Sequence, residues 1–261
     1  GVNIVTQDED VFRVDGVGMH GFKTPDKFLD LGNSGTGVRL LMGLVGSQQI
    51  TATFTGDESL SKRPMRRITK PLSEMGVQVK DNGNGLLPIT ITGRSSPLPL
   101  EYNSPFASAQ IKSAILLAGL NARGLTSISE PNKSRDHTER LLGHFGVFVD
   151  EEKDTNGLYK ASLMGGAKLK AKNITVPRDP SSAAFFAALT LLKKKSSIKI
   201  KNVGLNPTRI GFYKLLKKHN AKIKFINFKK INNELRGDIL INNSNLKPII
   251  ANKSYYVSAT D

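Results

Sequence analysis

A helical stretch that runs out four residues after a leucine, on a residue tolerant of the left-handed conformation, occurs three times in this chain. The pairs are Leu72 and Gly76, Leu142 and Gly146, and Leu216 and Asn220, and an alternating strand pattern follows each at once. The three ends are 70 and 74 residues apart, too long for the usual solenoid repeats. A strand pattern precedes each of these helices, at residues 49–54, 126–129 and 197–201, and a further apolar helix precedes each strand, at 36–44, 108–120 and 181–192. The repeated order is helix, strand, helix, strand, strand. Such alternation predicts an α/β (α+β) fold whose sheets are crossed over by helices. Units of this size are expected to pack around a shared axis, because each alone buries too little apolar surface.

Composition narrows the chemistry. The absence of cysteine excludes a disulfide framework, a thiolate zinc site and a cysteine nucleophile. His20, His137, His144 and His219 show no paired metal spacing, so a metalloenzyme has little support. The longest apolar runs, at 114–120 and 183–192, fall short of the ~20 residues of a membrane span, and a soluble chain is expected. The opening Gly1-Val-Asn-Ile has neither an initiator Met nor signal-peptide order, and the ending Ser258-Ala-Thr-Asp261 carries no cap signal. Both suggest a piece of a longer protein. Net charge is +16, of which +13 lies from Pro177 onward. Two readings stay open there: an anionic-ligand or nucleic-acid surface, or a solvated lysine face in a stretch equally rich in Asn and Ile.

Several segments set anion-binding groups at helix starts. Leu31-Gly-Asn33-Ser-Gly35-Thr-Gly-Val-Arg39 puts a small-residue turn before an apolar helix, where backbone N–H groups attract anions and glycine lets a ligand approach. It is neither a Walker loop nor G-x-G-x-x-G. In Gly56-Asp-Glu-Ser-Leu-Ser-Lys-Arg63-Pro64, Pro64 is expected at the first position of the next helix, with Arg63 free for a bidentate contact or else paired with Asp57 or Glu58. Ser104-Pro-Phe-Ala-Ser108-Ala109-Gln110-Ile-Lys112 opens a very apolar helix with polar atoms able to grip a phosphorylated ligand, or with a simple serine cap. Ser134-Arg135-Asp136-His-Thr-Glu139 reads as a capping box from Asp136 to Glu139, with Ser134 and Arg135 projecting before the helix. In Arg178-Asp179-Pro180-Ser181, Asp179 is expected to cap and Pro180 to begin a helix.

Taken together, G-N-S-G-T-G-x-R-L, G-D-x-S-L-x-x-R-P-M, S-A-Q-x-K-S-A, S-R-D-H-T-E-R, D-x-S-S-A-A-F-F and Asn206-Pro-Thr-Arg-Ile-Gly211 resemble, in order and spacing, the 5-enolpyruvylshikimate-3-phosphate synthase family in its S-A-Q variant. The resemblance covers essentially the whole chain. It implies transfer of the enolpyruvyl group of phosphoenolpyruvate to the 5-hydroxyl of shikimate 3-phosphate, with release of phosphate through a tetrahedral intermediate and no metal or organic cofactor. By that resemblance Asn33, Gly35, Arg63 and Gln110 bind phosphoenolpyruvate. Ser108, Ala109, Gln110, Ser134, Arg135 and Asp261 bind shikimate 3-phosphate, with Asp261 the catalytic base. The implied fold has two lobes built from β-α-β-α-β-β units, residues 1–176 giving most of one lobe and 177–261 the first part of the second.

The family's lysine–serine–arginine motif lies before Gly1 and its lysine–glutamate–arginine motif beyond Asp261, so these 261 residues are expected to be inactive alone. Implied too are a cytoplasmic location, a monomer when full length, and no nucleic-acid or membrane partner. Gly35 stands where some glyphosate-insensitive relatives carry alanine, so competition by glyphosate is expected. Two rivals remain: the sister transferase acting on UDP-N-acetylglucosamine, which usually carries a loop cysteine, and an RNA-binding or RNA-end-processing protein of related architecture.

Overall fold

The structure, a computed structural model, describes residues 2–9, 11–252, 255 and 257–259. They form two compact units. One takes the residues up to 104 with 108–129 and 148–168, and the other takes 105–107, 130–147 and the chain from 169 on.

The first unit opens with an antiparallel hairpin of β1 (Asn3–Asp8) and β2 (Val11–Asp15). Next come β3 (Leu29–Asp30), α1 (Gly35–Gly46), β4 (Thr51–Thr55), the single turn α2 (Glu58–Ser61), α3 (Arg66–Glu74), β5 (Gln78–Lys80) and β6 (Ile89–Thr92). Their sheet runs β3-β4-β6-β5, with β3 parallel to β4 and the other pairs antiparallel. β7 (Glu101–Asn103), α4 (Ala109–Gly119) and β8 (Leu125–Glu130) follow. The chain then enters the second unit for α5 (His137–His144) and returns for β9 (Val149–Lys153) and β10 (Tyr159–Met164), giving a sheet of order β7-β8-β10-β9. α1 and α4 pack on one another where Gly43 meets Ala114. A β-carbon at Gly43 would lie 2.3 Å from the Ala114 carbonyl oxygen, so only glycine permits this approach.

The second unit continues with α6 (Pro180–Leu192), β11 (Ser197–Gly204), α7 (Gly211–Lys218), β12 (Lys222–Ile231) and β13 (Glu234–Asn242). Its antiparallel sheet runs β11-β13-β12, and Arg178 adds a parallel bridge to Val203 where the earlier units carry a leading strand. Ala187, Leu191, Val203, Tyr213, Ile223 and Ile239 make its core.

The three expected helix ends are built alike. Gly76, Gly146 and Asn220 have φ of 82°, 88° and 72°. The next residue reaches back to the expected leucine each time: Val77 N–H to Leu72 at 3.1 Å, Val147 to Leu142 at 2.9 Å and Ala221 to Leu216 at 3.0 Å. This is the Schellman ending, and the paired apolar residues are buried at all three sites.

Two local expectations are corrected. Pro64 is not the first residue of a helix, since α3 begins at Arg66 after an N-cap at Met65. Asp136 occupies the N-cap position of α5 but makes no side-chain cap, so there is no capping box. Its carboxylate accepts from the Nε and Nη2 of Arg140, at 2.8 and 2.9 Å, and a charged bidentate partner outcompetes helix N–H groups. Asp179 does cap α6, accepting from the N–H groups of Ser181 and Ser182 with Pro180 in the first turn.

Candidate functional site

In the first unit the start of α1 sets the geometry. Ser34 caps the helix by accepting from the Gly37 N–H at 3.1 Å, and the Gly35 N–H donates to the Asn33 carbonyl at 2.9 Å. Asn33 is held from both ends of its amide: its Nδ2 donates to Asp57 Oδ2 at 2.7 Å, and its Oδ1 accepts from Arg63 Nη2 at 2.8 Å. Arg63 also donates to the Ser59 hydroxyl at 3.2 Å. Neither carboxylate proposed as its partner takes it: Asp57 caps α2 through the Leu60 N–H, and Glu58 pairs with Lys62. Hydrogen bonds from the Leu60 N–H and the Asn33 amide hold the Asp57 carboxyl below the usual carboxylate range.

Two further arginines join Arg63. Arg39, one helical turn after Gly35, is buried and donates from Nη1 to the Gly35 carbonyl at 3.1 Å and to Gln110 Oε1 at 2.9 Å. Arg67, in the first turn of α3, donates from Nη2 to the same Gln110 oxygen at 3.0 Å. Gln110 completes the set by donating from Nε2 to the Thr36 hydroxyl at 2.9 Å. Both Arg39 and Arg67 bury an Nε with no hydrogen-bond partner among the described residues. Burial, then the charges of Arg67 and Arg63, push the Arg39 guanidinium down to about 10, and burial lowers Arg67 as well. Among the described residues no carboxylate lies within ion-pair distance of these three arginines. Three cations beside a helix N-terminus, of which only Arg63 senses a nearby carboxylate, Asp57, are an arrangement able to hold a small anion. Gly35 sits between two of them: a β-carbon there would lie 2.9 Å from Arg63 Nη1 and 3.0 Å from Arg39 Nη1.

Of the expected site residues, Asn33, Gly35, Arg63 and Gln110 are joined in this first unit. Ser108 and Ala109 lie at the head of α4 directly before Gln110, where Ser108 accepts from the Ile111 N–H at 3.5 Å and acts as the cap. Arg39, Arg67 and Thr36 were not among the expected site residues. Arg39 stands inside the glycine-rich motif one helical turn after Gly35, a spacing that could have marked it, whereas Arg67 lies in the first turn of α3 and Arg63 in the bend before it, so no shared helix face signalled Arg67.

Ser134 and Arg135 belong to the second unit. Ser134 is buried, and both its N–H and its hydroxyl donate to Glu130 Oε1, at 2.8 and 2.9 Å. Arg135 lines a cavity of about 310 Å³ together with Ser181, Phe185, Arg209 and Tyr213. Asp261, expected as the base, lies outside the described residues. No helix is long and apolar enough to cross a membrane, and no group of three metal-ligating side chains occurs among the described residues.

In the first unit a helix start and three arginines meet around Gln110, within a fold of repeated crossover units, and this defines an α/β protein with an arrangement able to hold a small anion. The sequence model of EPSP synthase (3-phosphoshikimate 1-carboxyvinyltransferase) matches residues 1–252, and the chain belongs to that family. It is similar to the 3-phosphoshikimate 1-carboxyvinyltransferase of Zymomonas mobilis, 45% identical over 261 residues that cover all of this chain and 57% of that protein. The protein of the same name from Novosphingobium aromaticivorans is 44% identical, with 59% of its length covered. The solved EPSP synthase from Acinetobacter baumannii superposes with a TM-score of 0.85 at 44% identity, over 100% of this chain and 58% of that one. The chain thus spans little more than half the length of the relatives it matches.

Proposed function

We propose that this chain is part of an enzyme that transfers the enolpyruvyl group of phosphoenolpyruvate to the 5-hydroxyl of shikimate 3-phosphate. The hydroxyl oxygen adds to C2 of phosphoenolpyruvate as a proton reaches its methylene carbon, giving a tetrahedral ketal. Loss of a methyl proton and of phosphate then restores the double bond. Charge builds on the departing phosphate, and preorganised cations at that point lower the barrier most effectively.

One observation carries the reading: Arg39, Arg63 and Arg67 meet beside the start of α1 with no carboxylate in ion-pair reach among the described residues and with Gln110 fixed between two of them. In this reading Asn33, Gly35, Arg63 and Gln110 take phosphoenolpyruvate, and Ser108, Ala109, Gln110, Ser134 and Arg135 take shikimate 3-phosphate. Asp261 removes the hydroxyl proton. The relatives' name, 3-phosphoshikimate 1-carboxyvinyltransferase, supports the same acceptor and the same transferred group. Residues 1–176 then supply most of one lobe and 177–261 the start of another. The exposure of Phe185, Phe186, Leu189 and Leu192 on α6 supports a second lobe that further chain completes. A cytoplasmic monomer without a nucleic-acid partner is part of the proposal.

Phosphate release tests it. The full-length protein is expected to release phosphate from phosphoenolpyruvate only when shikimate 3-phosphate is the acceptor, while the 261-residue chain alone does not turn over. Release with UDP-N-acetylglucosamine in place of shikimate 3-phosphate would refute the assignment.

A further inference from the structure

The polar groups around the start of α5 do more than a helix end requires. The Asp136 carboxylate takes both bonds from Arg140, a third from Asn206 Nδ2 at 2.6 Å, and an ion pair with Lys133 at 3.1 Å. Asn206 cannot turn freely, because its Oδ1 accepts from the Thr208 N–H at 3.0 Å and the Thr208 hydroxyl at 2.7 Å. Its Nδ2 also lies 3.4 Å from Glu234 Oε2. The other oxygen of Glu234 is 2.5 Å from His137 Nδ1. Arg140 closes the ring by donating to the Asn233 carbonyl at 3.1 Å, while the Asn233 amide donates to the Arg140 carbonyl at 3.3 Å.

Asp136, Asn206 and Glu234 are 1%, 2% and 6% exposed, and they come from three distant segments of the chain. A buried network of this kind is often no more stabilising than apolar packing of equal volume, so what it secures is a defined geometry. The residue whose geometry is fixed is Arg135. On one side Ser134 is held twice by Glu130, and on the other Asp136 is held by Asn206 in the turn before α7, whose same Nδ2 reaches Glu234 at the start of β13. The Arg135 side chain lines the cavity.

We propose that Asn206 and Glu234 are positioning residues which, through Asp136 and His137, fix the backbone that aims Arg135 at the phosphorylated acceptor. This rests on the reading of Arg135 as a shikimate 3-phosphate ligand. Neither residue is expected to touch a substrate.

Steady-state kinetics of the full-length protein test the proposal. Asn206→Ala and Glu234→Gln are each expected to raise the KM for shikimate 3-phosphate about ten-fold and to leave the KM for phosphoenolpyruvate within about two-fold, since misplacing one contact by ~1 Å can cost far more than the contact's bare strength. In the Arg135→Ala background Asn206→Ala is expected to add nothing, because both act through one group. An unchanged KM for shikimate 3-phosphate in Glu234→Gln, a rise in both KM values together, or full additivity with Arg135→Ala would each overturn it. Glu234→Gln keeps the side-chain volume, so it decides the matter if Asn206→Ala does not fold. If Arg135→Ala itself leaves the KM for shikimate 3-phosphate unchanged, the ligand reading falls instead.

Discussion

Arg39 Nη1 lies 2.9 Å from Gln110 Oε1, joining α1 to α4 across 71 positions of sequence. That bond and the one from Arg67 leave the Gln110 oxygen fully engaged by cations, while among the described residues no acid pairs with either arginine. The three positive charges repel one another, and an anion bound among them relieves the repulsion. Inorganic phosphate or phosphoenolpyruvate is therefore expected to raise the melting temperature, by the equivalent of about 2.7 kcal/mol at a concentration 100 times the Kd. Arg39→Lys keeps the charge but cannot reach both oxygens, and is expected to weaken phosphoenolpyruvate about ten-fold, near the ~1.5 kcal/mol of one charged hydrogen bond. Calorimetric titration and thermal melts check both.

Gly35 leaves room for two guanidinium groups. An added β-carbon would meet the tips of Arg63 and Arg39 at 2.9 and 3.0 Å, and these are the ends of flexible side chains rather than backbone. Gly35→Ala is thus expected to fold normally while pushing both arginines off the anion. The measurable outcome is a KM for phosphoenolpyruvate raised about ten-fold, in keeping with the loss of part of a charged contact. Glyphosate is expected to raise the apparent KM for phosphoenolpyruvate in the Gly35 protein and to do so more weakly in the variant.

What the sequence made legible was mostly local. The Schellman endings at Gly76, Gly146 and Asn220 depend on a few adjacent residues, and so did the caps from Ser108 and Asp179. The alternation of strands and helices followed from patterns within each unit. Where local signals met distant partners, they failed. Asp136 has the right spacing to Glu139 for a capping box, but Arg140 and Asn206, the latter 70 positions away, claim its carboxylate. The roles of Arg39 and Arg67 depend on α1 packing against α4 at Gly43, and no window of sequence contains both helices.

The helix end at Gly146 allows a clean test of the left-handed conformation. Its φ is 88°, and the nearest atom to an added β-carbon is the Lys170 side chain at 3.4 Å, an ordinary contact. Gly146→Ala is therefore expected to cost about 1 kcal/mol from backbone strain alone. Asn220→Gly removes the corresponding strain at φ 72° but also the bond from Asn220 Nδ2 to the Asn245 carbonyl at 2.9 Å, and is expected to be close to neutral. Urea unfolding of the two variants measures both.

Asp136 sets the response of this region to acid. Burial pushes its carboxyl upward, but the hydrogen bonds from Arg140 and Asn206, with the charges of Arg140 and Lys133, outweigh burial and hold it far below the usual carboxylate range. A carboxyl depressed in the folded state contributes stability that is fully present above its unfolded value of about 3.9, and that is lost as pH falls through the lowered value. Asp136→Asn removes the bidentate counter-charge of Arg140, leaving it only Glu234 Oε2 at 3.9 Å, and is expected to cost about 3 kcal/mol at pH 7. As pH falls below about 4, the unfolded state of the unsubstituted protein takes up a proton while the folded carboxylate stays ionised, so its advantage over Asp136→Asn narrows. Denaturant unfolding of both proteins at pH 7, 5 and 3.5 measures it. A difference that stays constant across that range would show that the loss at pH 7 comes from packing rather than from the charge on Asp136.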